Sequence, residues 1–318
     1  MNVTESACAK IILCGEHAVV YGRPAIALPL PDLRARATAS PRPAAHDMHP
    51  DDVEIIAPDI GARYWARQQP GRPLATIVTN TLAFLGITPE DANWRPFNLT
   101  VQSDIPVSSN LGSGAAVSIC AARATAAFFG RPLSATDASA LAFEVERMHH
   151  GTPSGIDNTV IAHEQPVWFI RGNAPEILSG AAHLPLVIGD TGRSVSTRIP
   201  VGDVRAAWQR DPTPMEQRFD EIGAIAHAAR AALLAGDLPG LGALMNANHA
   251  ALQGLTVSAD SLDALCEAAR TAGALGAKMS GGGRGGAMLA LARDAADAAT
   301  IDAALRAAGA ARVLRSQG

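Results

Sequence analysis

The sequence predicts a two-domain chain of mixed strands and helices, and three observations predict it. Apolar and alternating runs of strand length dominate the first half, long segments with helical spacing dominate the second, and the change falls near residue 175. That change sets the expected domains at 1–175 and 176–318. A chain of 318 residues is long enough for two ordinary cores. At 48% hydrophobic and 18% charged, it is globular and not disordered. A formal charge of -4 and a pI near 6.1 argue against a polyanion-binding surface, so nucleic acid is not an expected partner, while one local basic pocket is allowed.

Cys8, Cys14, Cys120 and Cys266 lack C-x-x-C spacing and sit in apolar surroundings, as reduced, packed thiols do. Glu5 and Lys10 interrupt the first apolar run, so it does not read as a signal peptide, and no apolar run reaches the length of a membrane span. The expectation is a soluble cytoplasmic protein without a membrane partner, with a homodimer left open.

In order along the chain, ACAKIILC (7–14) reads as a strand apolar on both faces except at Lys10, which either snorkels to a sheet edge or points its charge into a site. GEHAVVYG (15–22) is a polar turn, followed by a strand at 25–30 with which 34–40 is expected to pair. Residues 41–50 read as a surface loop and 52–57 as a strand. Residues 73–85 have helical spacing and stop at Gly86, a helix-ending glycine. Phe97, Leu99 and Val101 alternate with polar residues in a strand, 97–103, that leads to IPVSSNLGSGAAVSICAAR (105–123). The helix begun there closes at Gly130, and another runs from 136 to 149. In HGTPSGIDN (150–158), Ser154 and Asp157 have capping-box spacing for a helix starting near Gly155. Strands at 167–170 and 184–189 precede the polar turn DTGRSVST (190–197). Helices at 200–209, 214–235, 238–253, 259–272 and 294–307 and strands at 287–292 and 312–315 complete the chain.

The segment from Ile105 has the composition of an anion cradle. Gly112 and Gly114 let the backbone turn sharply near a ligand, Ser108, Ser109 and Ser113 offer hydroxyls, and the following helix offers unpaired N–H groups and its positive dipole end. An ordinary Gly/Ser turn before a core helix has the same composition. The chain has no Walker A motif, no G-x-G-x-x-G in this loop and no protein-kinase H-R-D or D-F-G signature. A phosphate site of another kind is required.

Four ordered segments, KIILCGEHAVVYG (10–22), IPVSSNLGSGAA (105–116), ERMHHGTPSGIDN (146–158) and KMSGGGRGGAMLAL (278–291), resemble the motifs of the GHMP small-molecule kinases, and among these the mevalonate kinases. The resemblance implies an α+β fold of two lobes, the first like domain 2 of ribosomal protein S5 and the second ferredoxin-like, with the site between them. It implies ATP and Mg²⁺ as cofactors and a small alcohol as acceptor, most closely the 5-hydroxyl of mevalonate. Asp157 matches the residue that takes the hydroxyl proton, with Lys10 beside it to orient the alcohol. Glu146 matches the magnesium ligand. Glu16 and His17 belong at the acceptor pocket, to which Ser154 and Thr197 are also assigned. Ser108, Ser109, Asn110, Leu111, Gly112, Ser113 and Gly114 would wrap the nucleotide phosphates, backed by Gly282 and Gly283 of the late glycine run.

Three departures stand out. Where the family loop usually reads GLGSS, with its second serine on the metal, this chain has Gly114, which leaves Ser113, a water or the nucleotide to supply that ligand. Asn110 replaces the preceding glycine, and Asn visits left-handed backbone more readily than most residues. Arg284 stands in the late run where a side chain is normally absent, either on a phosphate or substrate carboxylate or facing solvent. Arg193 and Ser196 are further acceptor candidates. His149, His150 and His163 lack the spacing of a metal cluster. Another acceptor such as phosphomevalonate or a sugar acid, the decarboxylase branch of the superfamily, and a nonenzymatic sensor stay open.

Overall fold

A computed structural model describes residues 1–42, 53–92, 94–106, 110–150, 154–193 and 196–317, and of residues 149 and 150 the backbone only. In chain order the described residues form β1 (Val3–Cys14), β2 (Ala25–Pro41), β3 (Glu54–Ala57), β4 (Ala62–Trp65), α1 (Pro73–Leu85), β5 (Phe97–Ser103), α2 (Ser113–Phe128), α3 (Ala135–His150) and α4 (Ile156–His163). There follow β6 (Val167–Phe169), β7 (Glu176–Ile177), β8 (Pro185–Asp190), α5 (Arg198–Arg210), α6 (Pro212–Ala235), α7 (Leu238–Gly254), α8 (Asp260–Thr271), β9 (Gly276–Met279), β10 (Ala287–Leu291), α9 (Ala295–Ala307) and β11 (Arg312–Gln317). Two compact units result, each built from three stretches. The first comprises Met1–Ala9, Leu33–Pro106 and Gly112–Glu164, the second Lys10–Asp32, Val107–Leu111 and Gln165–Gly318.

In the first unit the strand order is β4-β3-β5-β2, with β3 and β5 parallel and the other neighbours antiparallel. Phe97, Leu99 and Val101 of β5 point inward, as their alternation requires. Helix α2 packs on β5 and against α1, α3 and α4. It can serve so many neighbours because Ala115, Ala116, Ala121, Ala122, Ala124 and Ala126 are all buried and let other backbones approach closely. At its far end Phe97, Phe128 and Phe129 form an aromatic cluster, with the Phe97 and Phe128 ring centres 4.9 Å apart.

In the second unit an antiparallel sheet, β11-β8-β10-β9, carries α8 on β9 and β10 and α9 on β8 and β11. Phe219, Ile222, Leu252, Leu262, Met288 and Ile301 fill its core. Among the described residues the outer edge of β9 has no strand beside it, and α7 covers it. The N–H of Ala277 donates to Asn246 Oδ1 at 2.9 Å, and that of Met279 to His249 Nδ1 at 3.2 Å. A bare strand edge would carry unpaired backbone groups.

Three local expectations change. Residues 25–30 and 34–40 do not pair with each other, because both belong to the single strand β2. Pro29 and Pro31, which suggested a break, favour extended backbone before them and lie between the stretch paired with β6 (25–27) and the stretch paired with β5 (35–41). The capping box at Ser154 is replaced by a glycine cap. Gly155 holds that position at φ 91° with no side-chain cap, and Ser154 Oγ accepts from Ile156 N at 3.4 Å. Strand β9 was not expected, since four residues around a lysine carry no strand signal.

Candidate active site

Within the second unit, several of the expected site residues come together. Lys10 does not snorkel to solvent. It is 2% exposed within β1, and its N–H donates to the carbonyl of Leu111 at 3.0 Å, which ties the strand to the end of the serine-glycine loop. Asn110 adopts left-handed backbone at φ 64°. A Cβ on Gly281 would meet the Asn110 Cβ at 2.7 Å, so only glycine lets the late run pass there.

The turn after β1 is unusual. His17 has φ 61° and ψ -51°, and Ala18 N–H donates to Glu16 O at 2.7 Å across it. This is a γ-turn of the strained hand, and a conformation of this kind costs about 1–3 kcal/mol. Its first and central residues are pinned. The imidazole Nε2 lies 3.0 Å from the carbonyl of Gly282, which can only accept, so Nε2 carries the ring proton and Nδ1 is left as an acceptor. The Glu16 carboxylate is fully engaged below the surface, Oε1 by Lys278 Nζ and Oε2 by Asn248 Nδ2 at 3.1 Å. Lys278 is 0% and Glu16 1% exposed. Lys278 Nζ also donates to Met279 O at 2.6 Å and Ile12 O at 3.5 Å. Ser280 Oγ adds a bond to Ile12 O at 3.0 Å. Removing one member of a buried ion pair typically costs about 3–5 kcal/mol, whereas replacing both by apolar side chains is often neutral. Lys278, Asn248 and Ser280 were missed at the level of sequence, although Lys278 opens the fourth motif.

The glycine run threads between neighbours at close quarters. A Cβ on Gly282 would meet Thr197 Cγ2 at 2.8 Å, and one on Gly283 the Val257 carbonyl oxygen at 1.9 Å. The N–H of Gly286 donates to Arg193 O at 2.9 Å, and that of Thr191 to Gly286 O at 3.0 Å, which joins the segment at 191–193 to the run. Arg284 lies at the surface, where its guanidinium pairs with the exposed Asp203 on α5. Its N–H donates to Val257 O at 2.8 Å, and its backbone is left-handed at φ 59°.

The first unit carries the remaining candidates. Gly112, at φ 77°, is the cap of α2, and Ser113 is that helix's first residue. Ser108 and Ser109 lie outside the described residues. A Cβ on Gly114 would meet nothing within 4 Å, so the position has room for a serine side chain. Glu146 sits on α3 and Asp157 in the first turn of α4, both half-buried. Asn158 is buried and fastens α4 to α3, its Nδ2 donating to Ser139 Oγ at 2.8 Å and Ser139 O at 3.1 Å. Among the described residues no group of three or more His, Cys, Asp or Glu side chains forms a metal cage. A hard cation held by one carboxylate and one hydroxyl, with the rest of its shell from phosphate oxygens and water, suits Mg²⁺, and Glu146 and Ser113 offer that donor set.

The family profiles match on both sides of this geometry. The GHMP kinases N terminal domain covers residues 77–164, and the GHMP kinases C terminal domain covers 229–311. The mevalonate kinase of Thermococcus sibiricus is 35% identical over 303 residues, 92% of this chain and 90% of that protein. This chain belongs to the GHMP kinases. It has their two-domain fold and is an ATP-dependent kinase. Another GHMP kinase, the mevalonate kinase of Methanothermobacter thermautotrophicus, is 31% identical over 91% of this chain and 90% of its own length. Among solved structures, the L. major mevalonate kinase in complex with R-mevalonate superposes with a TM-score of 0.84 at 28% identity, covering 99% of this chain and 96% of that one. The Lactococcus lactis galactokinase complexed with galactose, at 20% identity and a TM-score of 0.78, shares the fold.

Proposed function

We propose that the chain transfers the γ-phosphoryl group of ATP to the 5-hydroxyl of mevalonate, giving 5-phosphomevalonate and ADP for isoprenoid biosynthesis. The observation that carries this reading is its likeness to mevalonate kinases over nearly the full length of both chains, and the resemblance of GEHAVVYG and HGTPSGIDN to motifs of that family supports it.

Phosphoryl transfer demands positioning and charge neutralisation more than covalent chemistry. The new bond forms between the acceptor oxygen and Pγ as the bond from Pγ to the leaving ADP oxygen breaks, and the hydroxyl proton passes to Asp157. Lys10 orients the alcohol. His17 Nδ1, an acceptor by virtue of the Nε2 bond to Gly282, suits a substrate hydroxyl. Thr197 and Ser154 supply further hydroxyls to the acceptor, while Glu16, with both oxygens engaged, serves through the turn it holds. Backbone N–H groups from Asn110 to Gly114 and the start of α2 receive the phosphates, with Ser108 and Ser109 completing the loop and Gly282 and Gly283 admitting the nucleotide closely. Mg²⁺, held by Glu146 and Ser113, would neutralise phosphate charge.

A panel of alcohols with MgATP, read by ADP release, tests the assignment. Mevalonate is expected to give the highest kcat/KM, and a clear preference for phosphomevalonate or a sugar acid would overturn it. Asp157→Asn should lower kcat by about 10²–10⁴-fold with nucleotide affinity retained. Near-normal turnover in that variant would remove Asp157 as the base.

A further inference from the structure

The γ-turn at His17 needs an explanation that the reaction scheme does not provide. A histidine has no intrinsic preference for φ 61°, and the conformation persists only where the surroundings over-determine it. Those surroundings include a charge pair placed where an apolar pair would fill the same space without the cost of desolvation. Asn248 reinforces the point. Its Nδ2 reaches Glu16, while its Oδ1 is buried without a hydrogen-bond partner among the described residues. An asparagine that leaves one acceptor orphaned is a poor choice for stability and a good one for direction.

We propose that Lys278 is a positioning residue for phosphoryl transfer: its buried ion pair with Glu16, completed by Asn248, clamps the first residue of the γ-turn so that His17 presents its imidazole to the acceptor in one orientation. This rests on the assignment of His17 to the acceptor pocket. The clamp acts on the residue before His17 and the Gly282 contact on its ring, so the ring is held by its own proton and through its backbone. The directionality comes from Lys278, whose ammonium also engages the carbonyls of Met279 and Ile12. Strand β9, the glycine run that follows it and the end of β1 thereby become one assembly with the turn.

The test compares Lys278→Met, the double variant Glu16→Leu/Lys278→Met and the milder Asn248→Ala. Thermal midpoint, kcat/KM for the acceptor and the ¹⁵N signal of the His17 ring are measured for each. The double variant should recover most of the midpoint lost in K278M yet stay about ten- to a hundredfold down in kcat/KM, because a misplaced contact costs rate even where stability is restored. Its ring signal should lose the single Nε2-protonated form. N248A should shift the same readouts in the same direction by a smaller factor, and it decides the matter if the double variant does not fold. A double variant that regains activity together with stability, or an N248A protein with wild-type kcat/KM and an unaltered ring signal, would overturn the proposal. The ring signal needs no substrate, so it judges the clamp even if the wild-type protein fails on mevalonate, which would count against the acceptor assignment alone.

Discussion

Two deeply shifted histidines make the fold sensitive to acid. Burial pulls the His17 imidazole down to about 4, with the Arg284 charge adding to it against the opposing pull of the Gly282 carbonyl. His249 is likewise drawn to about 4 by burial, against the pull of Asp263. In the unfolded chain both rings bind protons near their ordinary 6.5, so between about 6.5 and 4 the unfolded state holds more protons than the native one. Stability is therefore complete above 6.5 and lost as pH falls toward 4, by a few kcal/mol for the pair on an order-of-magnitude basis. Urea midpoints at pH 7.5, 6 and 5 should decline in that order, more shallowly in His17→Asn, and a flat series would contradict the neutral, buried rings. The same burial pushes Cys14, Cys120 and Cys266 up to about 12. These thiols should stay silent to a thiol reagent until denaturant is added, and rapid labelling of the native protein would show that their packing opens.

At the scale of elements, helix α7 is a surrogate strand. Gly242, Asn246 and His249 fall on one face at helical spacing, and that face lies along the open edge of β9. Close approach is enforced from both sides: a Cβ on Gly242 would sit 2.5 Å from the Leu275 carbonyl carbon and oxygen, and one on Gly276 would sit 2.1 Å from Gly242 O. Gly242→Ala should thus lever α7 off β9 and cost about 1–3 kcal/mol, an overpacking penalty against backbone that cannot yield. Gly202→Ala, in α5, is the matched control, since its Cβ would meet nothing within 4 Å and helical alanine is favoured over glycine by roughly 1 kcal/mol. Opposite shifts in thermal midpoint are expected, and equal ones would mean that the α7–β9 contact is slack. This arrangement also explains what could be read in advance. Helix α7 announces itself by its apolar spacing, whereas β9 is four residues long, carries a buried lysine and satisfies its outer edge through two side chains that no strand pattern encodes.

For the whole molecule, legibility followed the range of the interactions. Elements whose partners lie across one repeating face, such as α1, β5 and α2, were readable to within a residue or two because burial imposes a period. Lys10 stood out as a charge inside an apolar strand, whereas His17 and Asp157 were singled out through the family resemblance of the motifs that hold them. What lay beyond reach were contacts between distant residues: Glu16 with Lys278, His17 with Gly282, Arg284 with Asp203. The chain's two lysines, Lys10 and Lys278, are both buried, and no local pattern says which carboxylate meets Lys278. Nucleotide binding joins the scales, because a ligand that binds the native state alone stabilises it by mass action. MgATP at a hundredfold its Kd should add about 2.7 kcal/mol and raise the thermal midpoint with no acceptor present. Asp157→Asn should keep that shift, since its loss falls on proton transfer. Gly114→Ser, whose side chain has open space, should keep or enlarge the shift and reduce the Mg²⁺ concentration needed for half-maximal rate, by adding a second hydroxyl to the first turn of α2. A Gly114→Ser enzyme with an unchanged Mg²⁺ requirement would assign the ligand to Ser113 or to the nucleotide and its waters, and a wild-type protein whose midpoint ignores MgATP would leave the serine-glycine loop without its phosphate.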